Sequence, residues 1–244
     1  MKVVLVSHTP NPERVVAVAA RQCYSALGAA ELTEGLSDEK VGELIRTIIE
    51  AGHLSPTEHA SFTFAIEGVS RALSHQLVRH RIASYSQQSQ RYVNEQGFAY
   101  VVPPSVAANP RARTLFERHM EEARETYREL AKLVPREDAR FVLPNACETR
   151  LVMTMNCRSL YNFFERRLCE RAQWEIRELA KEMLERVREV APRLFSWVGP
   201  PCEMRGYCPE GKMSCGRVEQ ASRHLIAAAD VAKNNSGAGG DGRG

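Results

Sequence analysis

Residues 159–190 read SLYNFFERRLCERAQWEIRELAKEMLERVREV. Leu168, Ala172, Ile176, Leu179, Met183, Val187 and Val190 recur every three or four positions, the spacing of one buried stripe, and predict helix across the whole stretch. Working outward from it, the period changes. Lys2-Val3-Val4-Leu5-Val6-Ser7 and Phe62-Thr63-Phe64-Ala65-Ile66 read as strands, and 148–155 alternates weakly as a third. Strands and helices are interspersed and no internal repeat occurs. The reading is an α+β (mixed α/β) fold, a single domain with a β-sheet flanked by long helices.

Other helices announce their ends. Asn11-Pro12 predicts a cap and first turn for a helix to about Tyr24, and Asn109-Pro110 repeats the signal for a long charged helix ending near Val134. Ser37 opens another, with Asp38 and Glu39 at the positive end of its dipole and Leu36 and Val41 spaced as a hydrophobic staple. Val41, Leu44, Ile45 and Ile48 form its buried face, and Gly52 stops it. Residues 53–59 read as a polar turn, 70–81 as a helix and 84–91 as a loop.

Composition narrows the function classes. The 244 residues carry 33 Lys plus Arg against 30 Asp plus Glu, so anion binding must come from local clustering. No apolar run approaches the ~18 residues of a membrane span, and the N-terminal apolar stretch is too short for a signal peptide before Pro10 and Pro12. Seven scattered cysteines suit buried reduced thiols better than a disulfide scaffold. A cytoplasmic protein is expected. Residues 196–233 form a Cys/Gly-rich extension with a short helix near 218–232, and 234–244, with five glycines, should be disordered.

The charge clusters in residues 68–94, which contain no acidic side chain. Arg71, Arg79, Arg81 and Arg91 stand there with His75, His80 and the neutral donors Gln76, Ser84, Ser86, Gln87, Gln88, Ser89 and Gln90. Arginine forks match phosphate oxygens, and Ser and Gln satisfy sugar or base atoms. A solvated basic helix end is the bland alternative. A module binding RNA or a single strand is the competing class, weakened by thin aromatic interleaving, only Tyr85 and Tyr92, and by the balanced overall charge.

Arg79-His80-Arg81, followed after seven residues by Ser89, resembles the signature of flavin-dependent thymidylate synthases. Further stretches resemble the same family in the same order: residues 53–59 with Ser55, Pro56 and Glu58; Arg140-Phe141-Val142-Leu143-Pro144; Asn156-Cys157-Arg158-Ser159-Leu160-Tyr161-Asn162-Phe163; Arg167; and Ala172-Gln173-Trp174-Glu175-Ile176. The resemblance covers residues 1–195 and carries the fold with it.

It implies an enzyme in which FAD and dUMP bind together, NADPH and 5,10-methylenetetrahydrofolate are co-substrates, and active sites lie between subunits of a homotetramer. By motif, His53, Ser55, Arg79, His80, Arg81, Gln87, Asn156, Cys157 (through its backbone), Arg158 and Asn162 would meet FAD. Gln76, Arg79, Gln87, Gln88, Ser89, Gln90, Arg91, Arg140 and Arg167 would hold dUMP. Some relatives have Glu where this chain has Gln87, whose amide can bond sugar or flavin groups but cannot act as a base. Arg167 is the implied catalytic residue. Its guanidinium stays charged and would stabilise negative charge on the pyrimidine, so no cysteine nucleophile is required.

Helical spacing adds an expectation. Arg158 and Asn162 share a face, whereas Arg167 lies about 140° round from Asn162, so flavin and pyrimidine contacts should fall on different sides, as an interfacial site would allow. The alternative is an exposed stripe in which Arg158, Arg166, Arg167 and Arg171 pair with Glu165, Glu170 and Glu175.

Gly206-Tyr207-Cys208-Pro209-Glu210-Gly211-Lys212 mimics a P-loop, but no hydrophobic strand precedes it and Pro209 removes a needed N–H. Cys202, Cys208 and Cys215 could supply most of a zinc site. Their spacings of six and seven are unusual and no fourth ligand is apparent, so a structural role or a disulfide is as fitting, and no metal is assigned.

Overall fold

The computed structural model describes residues 1–218. The chain runs β1 (Lys2–His8), α1 (Pro12–Gln22), α2 (Ala29–Gly35), α3 (Asp38–Glu50), a 3-10 turn (Ser55–His59), β2 (Ser61–Ser70), α4 (Arg71–Leu77) and β3 (Ser84–Gln87). It continues through α5 (Pro104–Ala107), α6 (Pro110–Leu133), α7 (Arg136–Ala139), β4 (Glu148–Asn156), α8 (Cys157–Arg167), α9 (Trp174–Val190), α10 (Pro192–Phe195) and α11 (Pro201–Arg205). From residue 219 on, the expected helix near 218–232 and the expected tail over 234–244 lie outside the described residues.

All pairings in the four-stranded sheet are antiparallel, in the order β1-β2-β4-β3. Alternation sets its faces. Phe62, Phe64 and Ile66 of β2 are buried, as are Leu151, Met153 and Met155 of β4, whereas Val152 between them is exposed. The buried face packs in one core with Ile176, Leu179, Met183 and Val187 of α9 and with Phe163, Phe164 and Phe195. The β2–β4 register slips between Glu67 and Val69, where Gly68 takes φ 67°, a bulge conformation that side chains with a Cβ rarely adopt.

The cap signals at Ser37 and Asn109 hold. Ser37 accepts from the Lys40 N–H, Asn109 accepts from those of Arg111 and Ala112, and Gly52 at φ 69° follows α3. Asn11 differs: it sits in the left-handed region with no side-chain cap bond, and α1 ends at Gln22 rather than Tyr24.

Three expectations are corrected. The helix expected over 159–190 is two helices. The Leu168 N–H closes α8 onto the Phe164 carbonyl, and Gln173 then caps α9 by accepting from the Glu175 and Ile176 N–H groups. Tertiary contact overrides the unbroken period, because Glu175, buried at the start of α9, takes the Ser70 N–H at 2.7 Å and its hydroxyl at 2.5 Å. The helix expected over 70–81 ends at Leu77. The loop expected over 84–91 begins as β3, paired with residues of β4 despite its polar sequence.

Candidate active site

The sequence between α4 and β3 is short and pinned. Tyr85 Oη lies 2.9 Å from both the Leu77 and the His80 carbonyl oxygens, and burial pushes its phenol up to about 12, so it remains a donor. Arg79, His80 and Arg81 project from this link. Opposite, β4 runs directly into α8, and Asn156 caps the helix by accepting from the Ser159 N–H at 2.8 Å. That bond engages the Asn156 carbonyl and leaves its NH₂ to face a ligand.

The two segments enclose a cavity of about 760 Å³, within the ~300–1,000 Å³ of small-molecule sites. Arg79, His80, Arg81, Asn156, Arg158, Asn162 and Arg167 all line it. So do Glu58, Ile82, Ser159 and Arg166, which the motif reading did not assign as site residues. Arg166 was legible as part of the basic stripe.

The cavity is strongly electropositive, with five arginines against one carboxylate. Glu58 pairs with Arg158 at 2.6 Å, both about half exposed, so the pair binds weakly. Among the described residues, Arg79, Arg81, Arg166 and Arg167 have no carboxylate partner. This donor set fits the two negative charges of a dinucleotide pyrophosphate.

Arg167 Nε donates to His80 Nε2 at 3.1 Å. Burial first, then the charges of Arg167 and Arg166, pull His80 down to about 4, so at neutral pH its ring is uncharged and able to accept this bond. The ring also meets Phe163 edge-on at 5.0 Å. Burial, and then Arg166, lower the Arg167 pKa from its ordinary value. A cation that is partly desolvated and held among others favours an incoming anion.

The remaining implied residues lie elsewhere in the chain. Gln90 and Arg140 line a second cavity of about 380 Å³ with Arg71 and His75, one turn apart on α4. Neither Arg71 nor His75 was assigned, although both stand in the acid-free window; burial and then Arg140 lower the Arg71 pKa. Gln88 lines a third cavity, of about 640 Å³, beside the buried Glu95. Gln87 Nε2 donates to Thr149 Oγ1 at 3.1 Å, which ties it to β4. Ser89 Oγ accepts from the Arg91 N–H, and the Arg91 guanidinium pairs with Glu137 at 2.7 Å. Gln76 is half-buried on α4.

His53 and Ser55 are exposed outside the arginine-rich cavity, after α3 and at the start of the 3-10 turn. Cys157 also falls outside its lining. Its N–H is taken by the Ala60 carbonyl at 2.7 Å, and burial raises its thiol to about 12.

Two readings of α8 are corrected. Arg167 does not face away from Arg158 and Asn162, because at the last turn its side chain reaches the same cavity. Nor is there a self-paired stripe. Arg158 pairs with Glu58 and Arg171 with Glu210, while Glu165 pairs with Arg205, Glu170 with Arg177 and Arg217, and Glu175 bonds Ser70. The P-loop-like stretch follows α11 rather than a strand.

The family model described as thymidylate synthase complementing protein matches residues 4–193. The chain is 50% identical to a Clostridium tetani protein named flavin-dependent thymidylate synthase, aligned over 91% of this chain and 96% of that one. A Geobacter sulfurreducens protein of the same name is 56% identical over 91% and 97%, and one from Pyrococcus abyssi 43% over 87% and 91%. With a site built from the same segments that carry the motif, this chain belongs to the flavin-dependent thymidylate synthase family.

Proposed function

We propose that this chain catalyses the FAD-dependent reductive methylation of dUMP to dTMP. The one-carbon donor is 5,10-methylenetetrahydrofolate and the reductant NADPH, with tetrahydrofolate and NADP⁺ leaving, in the cytoplasm. The observation that carries the reading is the arginine-rich cavity in which Arg79, His80 and Arg81 meet Asn156, Arg158, Asn162 and Arg167. Arg79, Arg81 and Arg158 would hold the pyrophosphate of FAD, and the Asn156 and Asn162 amides would orient it. When bound and reduced, the flavin supplies a hydride, and the folate supplies the carbon.

Arg167 stabilises negative charge on the uracil ring, favouring its N3-deprotonated, more nucleophilic form. The neutral His80 keeps that guanidinium turned into the cavity without competing for the anion. Gln76, Gln87, Gln88, Ser89, Gln90, Arg91 and Arg140 bind dUMP, and His53 lies near the flavin.

A homotetramer with active sites between subunits accounts for their dispersal. In one chain Gln90 and Arg140 line a different cavity from Arg167, which supports a site that copies of the chain would complete together. Ile82 and Phe141, 75% and 81% exposed at the rims of those cavities, are apolar groups that such contacts would cover.

The test is anaerobic. FAD-loaded protein is reduced by NADPH with and without dUMP while flavin absorbance is followed, and methylenetetrahydrofolate is then added. Bleaching followed by dTMP is the expected result. A protein that stays colourless in excess FAD, or reduced flavin that never yields dTMP, overturns the proposal.

A further inference from the structure

The cysteines of the C-terminal segment have a partner that sequence did not reveal. Cys202, Cys208 and Cys215 line one small cavity together with Cys169, which lies in the turn between α8 and α9, two residues past Arg167. Four of the chain's seven cysteines therefore converge from two segments more than thirty positions apart. The cavity, about 10 Å³, has room for roughly one water-sized atom.

Convergence does not rest on the thiols alone. Arg171 pairs with Glu210 at 2.6 Å, Arg205 pairs with Glu165, and Arg217 lies 2.9 Å from Glu203 and 4.0 Å from Glu170. Arg171–Glu210 and Arg217–Glu170 hold the segment after α11 against the turn after α8, Arg205–Glu165 holds α11 against α8 itself, and Arg217–Glu203 lies within the C-terminal segment. Gly206 and Gly211, at φ 71° and 54°, turn the chain between the three later cysteines, so that each returns to the same cavity.

We propose that Cys169, Cys202, Cys208 and Cys215 form a structural zinc site that fastens the C-terminal segment to the turn beyond Arg167. Tetrahedral thiolate sets are the natural home of this ion, at about 2.3 Å per sulfur. Binding exchanges four thiol protons for one Zn²⁺, which leaves the site with two net negative charges, beside a lining whose own charges cancel, Arg171 and Arg217 against Glu170 and Glu210.

All four thiols are free, and among the described residues no group of three or more ligating side chains already stands in coordinating position. Metal entry must therefore draw the sulfurs inward. The need for a staple is physical: after Pro201 no described residue is buried, so the segment lacks a core of its own.

The full-length chain, purified without chelator and under reducing conditions, tests this by elemental analysis. About one zinc per chain is expected, released by a mercurial, with Co²⁺ in its place giving thiolate charge-transfer absorption and tetrahedral d–d bands. Cys202→Ser and Cys208→Ser should lose the metal, while Cys23→Ser, at an exposed position after α1, should keep it. The wild-type measurement requires no variant to fold, and zinc is counted whether or not flavin is present. Absence of stoichiometric zinc both as purified and after zinc addition overturns the site. So does an octahedral cobalt spectrum, or a disulfide among these cysteines in the reduced preparation.

Discussion

Two regions of this chain are held by different forces. Through Val198 the molecule is organised by apolar burial: Phe62, Phe64, Phe163, Phe164 and Phe195 are all fully buried against the sheet and α9. Beyond Pro201 no described side chain is buried, and the segment is tied to α8 and the turn after it by arginine–carboxylate pairs, beside four clustered free thiols. The family match ends at residue 193, close to where the first kind of organisation gives way to the second. Arg167 stands at the seam, its side chain in the cavity of the body and its following turn against the appended segment. The contrast teaches that apolar burial positions α8 up to Arg167, while the turn behind it is held by arginine–carboxylate pairs.

The largest expected effect breaks the body. Phe164→Ala removes a ring with no exposure that packs edge-on against Phe163 and Phe195. It should cost about 3–5 kcal/mol in denaturant unfolding. A loss near that of a surface change would mean that the core at α8 collapses readily around the cavity.

At the seam, Arg167→Ala should lower dTMP formation by about 10²–10³-fold, with FAD still bound and unfolding unchanged, as read by steady-state rates and flavin absorbance. Burial of His80, with the charges of Arg167 and Arg166 second, sets a pH dependence. His80 is held from its ordinary 6.5 down to about 4, so the native state binds fewer protons than the unfolded chain between those values. Its contribution to stability is complete above pH 6.5 and declines as pH falls from 6.5 toward 4. Melting curves of wild type and His80→Gln across that window should converge on acidification. Parallel curves would remove His80 as the cause.

Smaller is the clasp between α9 and α4. Glu175→Ala strands the Ser70 N–H and hydroxyl in the core and should cost about 1–3 kcal/mol. Glu175→Gln, which keeps a carbonyl acceptor, should cost less. Equal losses for the two variants would show that packing, not hydrogen bonding, accounts for the residue.

These elements also mark what the sequence could reveal. The caps at Ser37 and Asn109 and the alternation of β2 and β4 are local patterns and were readable. The break between α8 and α9 was not, because Leu168 and Ala172 continue the period with no Gly or Pro between them. Its cause, Glu175 reaching Ser70, spans 105 positions. Likewise the motif named Arg79, His80, Arg81 and Arg167, but that His80 accepts a bond from Arg167 follows only from the pinned link before β3. Arg71 and His75 were visible in the acid-free window, yet nothing local set them beside Arg140. The fourth thiol of the C-terminal cluster was hidden for the same reason, since Cys169 reads simply as a position within a helix.

The smallest effect probes the attachment itself. Arg171 and Glu210 are 38% and 37% exposed on their side chains, so solvent screens the pair and its loss should cost only about 0–1 kcal/mol. Arg171→Ala and Glu210→Ala, alone and together, form a cycle whose coupling energy is read from denaturant midpoints. A coupling within that range, with the turn after α8 more open to proteolysis in each variant, means that the C-terminal segment is a separately weak attachment. A coupling of several kcal/mol would mean instead that the pair is desolvated and that the segment shares the cooperativity of the body, which erases the division between the two regions.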